Sequence, residues 1–237
     1  MDEKEIIQYD IADMVMERPY KFSIDNRKFT IYPVTIGKSY LLHRLISSLE
    51  INNETLQINP FLEALRLCSE KMDIVSKIIA YHVINTKEQL FDDDYVGEIA
   101  SFIKDNADVE DVAKVLLFVM TNDKVSLLIK QLGIEDEKVE QKRVLAIKNK
   151  DSNCVTYGGK TIYGSLIDLA CERYGWPLDY VVWGISYANL RMLMADMITT
   201  ISLTKEERKK ARIRTDGSFI NGDDASNIER IRAMFPD

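Results

Sequence analysis

The 237-residue chain has only two histidines (His43 and His82), three cysteines and five prolines. Neither histidine stands at a spacing that makes a metal pair or a nucleophile triad. Cys68, Cys154 and Cys171 are odd in number and far apart. Without a C-x-x-C pair they exclude the usual zinc and redox motifs, and their sparseness excludes a disulfide scaffold. Reduced, buried thiols are expected, because free cysteine behaves as a small hydrophobe. No apolar run reaches the roughly 18 residues that a membrane-crossing helix needs. The start MDEKEIIQYD is acidic and has no basic, then apolar, leader pattern. A cytoplasmic location is expected.

Charge is present but unevenly placed. Between Asp92 and Asp111 eight acids stand against the single base Lys104, which accounts for the whole net charge of -7. The remaining 30 bases and 30 acids balance. A duplex or membrane-surface binder spreads basic charge over a face, so neither nucleic acid nor a membrane is expected as a partner. The exception to weigh is Lys205 to Arg214, with six bases against two acids. That stretch reads first as a solvated helix; its alternatives are contact with phosphate, with an acidic protein, or with the Asp92 to Asp111 region.

The apolar pattern predicts a mainly α protein with a small N-terminal β-hairpin and a smaller C-terminal helical domain. Residues 2–18 predict a short amphipathic helix or arm ended by Pro19. Phe22 and Ile24, then Phe29 and Ile31, alternate around Asp25-Asn26-Arg27, the pattern of a hairpin in which Asn supplies a positive φ. Helices are expected from Ile36 to Leu49 and from Pro60 to Val83. In the second, Phe61, Leu65, Cys68, Met72, Val75 and Ile79 recur at intervals that only a helix places on one stripe. Further helices are expected near Tyr95 to Ile103, over Val112 to Met120 with Asp108 and Asp111 as its N-terminal cap, and over Lys124 to Leu132 ending at Gly133. Glu135 to Asn153 reads as a linker or an exposed helix, and Val155 to Ile162 as a second small hairpin or a flexible turn.

Beyond it, a helix from Tyr163 to Tyr174 should stop at Gly175, setting Trp176 against Ala170 and Cys171, with Pro177 opening the next helix. Ser186 caps a helix whose stripe is Leu190, Met194, Met197 and Ile201. Thr204 and Glu207 fit a capping box. The expected organisation is a hairpin plus helical body over 1–132, a polar linker over 133–160, a small helical domain over 161–214 and a mobile tail over 215–237.

Motifs for chemistry are thin. Gly37-Lys38-Ser39 ends like a phosphate-binding loop, but the earlier glycine such a loop needs is Tyr32. Asp92-Asp93-Asp94 with Gly97 starts like a calcium loop, but its twelfth position is Ile103 instead of a bidentate carboxylate. No G-x-S-x-G elbow or dinucleotide fingerprint occurs. No catalytic, cofactor-binding or metal-binding residue is expected, no cofactor is expected, and the chain is read as a non-enzyme.

Aromatic side chains gather instead at Tyr163, Tyr174, Trp176, Tyr180, Trp183 and Tyr187, a cluster holding both tryptophans. It can serve as core or as a binding patch, where Trp and Tyr are enriched. Two segments, PYKFSIDNRKFTIYPVTIG from Pro19 and ERYGWPLDYVVWGI from Glu172, resemble the tail assembly chaperones of long-tailed bacteriophages and their prophage relatives.

That resemblance implies a non-enzymatic helical protein. Residues from about 20 to 132 would correspond to the body that coats the tape-measure protein, and residues from about 161 to 214 to the part that recruits tail-tube subunits. In many relatives the second part is added by a translational frameshift. Trp176, Tyr180, Trp183 and Tyr187 are then the expected partner-binding residues, and homo-oligomerisation is left open. The alternatives are a structural or adaptor component retained in the phage particle and a nucleic-acid-associated regulator.

Overall fold

The computed structural model describes residues 3–147 and 157–212. They divide into two compact units, 3–135 with 157–198 and 136–147 with 199–212. The expected small domain over 161–214 is therefore divided. Its first part belongs with the body, and the expected tail over 215–237 lies outside the described residues. The protein is mainly α with one two-stranded antiparallel hairpin.

In the first unit, helix α1 (Glu3–Val15) precedes strands β1 (Tyr20–Ile24) and β2 (Arg27–Ile31). The hairpin pairs Phe22 with Phe29 and Ile24 with Arg27, which leaves Asp25 and Asn26 as the turn. Asp25, not Asn26, takes the positive φ of 50°; a short polar side chain tolerates that region as well as Asn does. Ile24, Phe29 and Ile31 are buried. Tyr20 stacks on Phe118 at 4.1 Å, and Arg27 lies over the rings of Phe29 and Phe102.

Helix α2 (Ile36–Ser48) is capped by Thr35, whose hydroxyl accepts the Lys38 N–H. The short α3 (Asn53–Ile58), absent from the sequence reading, is capped by the Asn52 side chain. Helix α4 (Pro60–Val83) has the expected bounds, with Pro60 in its first turn and Asn59 as the cap. It packs against α2, α3, the hairpin and two later helices, α6 (Asp93–Asn106) and α7 (Val109–Thr121), with α5 (Lys87–Leu90) between. Because α4 is covered on several sides, its buried set is wider than one stripe. Ala64, Leu67 and Ile78 are buried beside Cys68, Val75 and Ile79, whereas Phe61, Leu65 and Met72 are half-buried. Lys71 breaks the helical dihedrals (φ -135°, ψ 38°) midway and re-aims the second half.

The acidic stretch has a local explanation. Asp92 caps α6 and Asp108 caps α7, while Asp93, Asp94, Glu110 and Asp111 occupy their first turns. Carboxylates there meet free N–H groups and the positive end of the helix dipole. Helix α8 (Val125–Gln131) follows, and Gly133 turns left-handed at φ 71° where a stop was expected.

Helix α9 (Ile134–Ile147) begins in the first unit and supplies residues 136–147 of the second. Of the two readings of this stretch, its described part is helical. The other helix of that unit, α12 (Lys205–Ala211), opens with the expected capping box between Thr204 and Glu207. Arg143 pairs with Glu140 and donates to the Ala211 carbonyl at 2.8 Å, satisfying an acceptor freed at the helix end. Lys205, Arg208, Lys209 and Lys210 are exposed, and Arg214 lies outside the described residues.

Back in the first unit, residues 157–160 form no strand, and Val155 and Thr156 lie outside the described residues. A π-helical turn (Tyr163–Ile167) leads into α10 (Asp168–Tyr174), which Gly175 ends at φ 65°. A second π-helical turn (Tyr180–Gly184) precedes α11 (Tyr187–Ala195). Helix α11 is capped by Ser186 but stops before Met197 and Ile201, so the expected stripe is interrupted after Met194. Ile36, Ile167, Ala170, Val181, Ile185 and Leu190 make a small core of their own. Among the described residues, no helix is long and apolar enough to cross a membrane.

Candidate protein-interaction surface

The left-handed Gly175 ends α10, and Trp176 and Pro177 follow in non-helical backbone before the second π-helical turn, with Trp176 between two tyrosines in the ring contacts. Tyr174 stacks on Trp176 at 4.6 Å with an interplanar angle of 26°, and Tyr180 meets the indole edge-on at 5.4 Å. Trp176 is half-buried and packs on the small core to which Ala170 belongs.

Tyr180 remains 43% exposed and Leu178 54% exposed. The Tyr180 ring lies over Gly184, where a Cβ would come within 2.8 Å of its Cε2. The ring is thus seated in a fixed place and still faces solvent. Trp176, Leu178 and Tyr180 together form a preorganised apolar and aromatic patch, which needs little ordering on binding.

Trp183 has a different role. Its indole is half-buried, packs on the larger core and sits over the backbone of Gly37 in α2. Phe91 meets it edge-on at 5.7 Å, and the Lys87 ammonium lies 5.6 Å from the ring centroid while pairing with Asp179 at 2.6 Å. These contacts bind the C-terminal segment to the body. Tyr187 is likewise a joint: its backbone N–H donates to the Val34 carbonyl at 2.8 Å, and Arg191 covers its ring. Thr35 and Ser186 form an isolated bridge beside it, and Glu17 accepts from the Ser186 N–H and the Asn189 amide.

Of the four expected partner-binding residues, Trp176 and Tyr180 share a surface, while Trp183 and Tyr187 hold elements of the first unit together. Leu178 belongs with the former pair and was passed over in the sequence. A lone leucine after Trp-Pro carries no periodic signal; its exposure of 54% is what places it on the surface. Phe91, 59% exposed beside Trp183, was also missed, because nothing local links it to residue 183.

Titratable groups outside this patch are accounted for by packing. His82 is buried; its Nδ1 lies 2.7 Å from the Ile78 carbonyl, and burial pushes its pKa down to about 4. His43 is exposed. Cys68 is buried and free, its thiol pushed up to about 12 by desolvation; Cys171 is half-buried, and Cys154 lies outside the described residues. Glu63 is wholly buried and accepts from Arg66 and from the Asn52 N–H at 2.7 Å, contacts that hold its pKa below the usual carboxylate range.

Lys38, the lysine of the loop-like triplet, is buried and donates to the His82 carbonyl and to Asn85 Oδ1. Among the described residues, no group of three or more His, Cys, Asp or Glu is arranged to hold a metal ion. Comparison of the chain with protein-family models, with curated proteins and with solved structures finds no match.

Proposed function

We propose that the protein is a tail assembly chaperone of the kind found in long-tailed bacteriophages. Its role is to bind a long helical partner and recruit tail-tube subunits without catalysing a reaction. The observation that supports this reading is the solvent-facing patch of Trp176, Leu178 and Tyr180, seated on Gly184 and on a small core of its own. Fixed aromatic anchors of this type are the groups that carry binding energy at protein interfaces. The resemblance of the Pro19 and Glu172 segments to that family supplies the identity of the partners, the tape-measure protein and the tube protein.

The test is co-expression with a tape-measure protein, a long helical polypeptide, followed by purification through a tag on this chain. Retention of the long protein, and its loss in a folded Leu178→Ser/Tyr180→Ala variant, is the expected result. Retention undiminished in that variant rejects the surface. Mass spectrometry of finished particles separates a chaperone, which should be absent, from an adaptor that stays in the particle.

A further inference from the structure

A cavity of about 190 Å³ opens where the start of α2 meets α5 and the second π-helical turn. Lys38 and Lys87 line it together with Glu17, and Pro33, Leu90 and Trp183 provide apolar walls. Lys38 is 5% exposed. An ammonium group has three donors. Two are used, on the His82 carbonyl at 3.3 Å and on Asn85 Oδ1 at 3.1 Å, and no third acceptor is present among the described residues. Lys87 likewise spends one donor on Asp179.

We propose that this cavity is a subsite for a carboxylate on a short aliphatic stem, held between the Lys38 and Lys87 ammonium groups with its methylenes against Leu90 and Trp183. The first turn of α2, where the helix dipole is positive, adds to the favourable potential.

A carboxylate suits the site better than a phosphate. Glu17 also lines the cavity and Asp179 pairs with Lys87 beside it, so the two ammonium groups already have two built-in anions near them, and a dianion would meet their repulsion twice over. The apolar walls have no use for a third anionic oxygen but complement a hydrocarbon stem. Burial lowers the Lys38 pKa to about 8, so the ammonium is still mostly charged at neutral pH. Holding that charge away from water carries a desolvation cost. A methionine would fill the same space without it.

The experiment uses the full chain with Trp176→Phe, which leaves Trp183 in the cavity wall as the only indole. Butyrate, N-acetylglutamate amide and inorganic phosphate are each titrated at constant ionic strength while Trp183 fluorescence is followed. Saturable binding of butyrate or of the glutamate derivative is expected, with phosphate weaker. Lys38→Met should weaken it by about tenfold or more, as loss of a charge-assisted hydrogen bond implies. Lys87→Met, verified as folded by circular dichroism because it also removes the pair with Asp179, should weaken it severalfold.

Tighter binding of the glutamate derivative identifies an acidic side chain of a polypeptide as the occupant; tighter binding of butyrate identifies a free small acid. A response that never saturates, that phosphate matches or exceeds, or that survives both lysine substitutions overturns the assignment.

Discussion

The indole of Trp183 occupies the space that a side chain at Gly37 would need: a Cβ built there comes within 2.5 Å of Trp183 Cε3. Glycine in the first turn of a helix is otherwise unfavourable by roughly 1 kcal/mol relative to alanine. Gly37→Ala should nevertheless destabilise the protein, by about 1–3 kcal/mol, because overpacking outweighs the propensity gain. Urea unfolding followed by tryptophan fluorescence measures this. A variant as stable as the parent would mean that Trp183 is not held against α2.

The two tryptophan environments should separate in mutation. Trp183→Ala removes contacts with Gly37, Phe91 and Lys87, and should cost on the order of 2–3 kcal/mol, somewhat below a fully buried aromatic. Leu178→Ala, on an exposed position, should stay within about 0.5 kcal/mol. Equal losses at both positions, measured by chemical denaturation, would contradict the division between joint and patch.

Acid should weaken the fold in two stages. His82 has a folded pKa of about 4 against an ordinary 6.5, so the unfolded chain binds more protons between those values. Stability is therefore full above about pH 6.5 and declines as pH falls toward 4, by up to roughly 3 kcal/mol. Glu63, depressed by Arg66, adds a contribution that is present above its unfolded pKa and is lost as pH falls through its lower folded value. His82→Gln should flatten the slope between pH 6.5 and about 4 while leaving the part of the acid loss that Glu63 contributes. An unchanged slope would remove His82 as its source.

Glu63 itself joins α4 to the chain before α3 by accepting the Asn52 N–H. Glu63→Gln keeps an acceptor for that bond but removes the charge opposite Arg66, which is partly exposed and can rehydrate. A loss of about 1–2 kcal/mol is expected by thermal or urea unfolding, less than for a fully buried pair. A neutral result would show that Arg66 contributes nothing there.

Local signals were legible in the sequence and long-range ones were not. The bounds of α4, the hairpin, the stops at Gly133 and Gly175 and the Thr204 capping box each depend on residues within one or two turns, so periodicity and turn chemistry suffice. The break at Lys71 was not legible, because no proline or glycine marks it. The division of labour between Trp176 and Trp183 was equally hidden. Both are indoles in the same short segment, and only the distant Gly37, Lys87 and Phe91 decide which one is a joint. The capping roles of the acids between Asp92 and Asp111 became clear only once the starts of α6 and α7 were fixed.

The most direct test of the proposed function is hydrogen–deuterium exchange on the chain alone and in complex with the co-expressed long helical protein. Protection that appears on binding over residues 174–184, and is lost with the Leu178→Ser/Tyr180→Ala variant, is the expected result. A complex in which those residues exchange as fast as in the free chain, with protection confined to other surfaces, would contradict it.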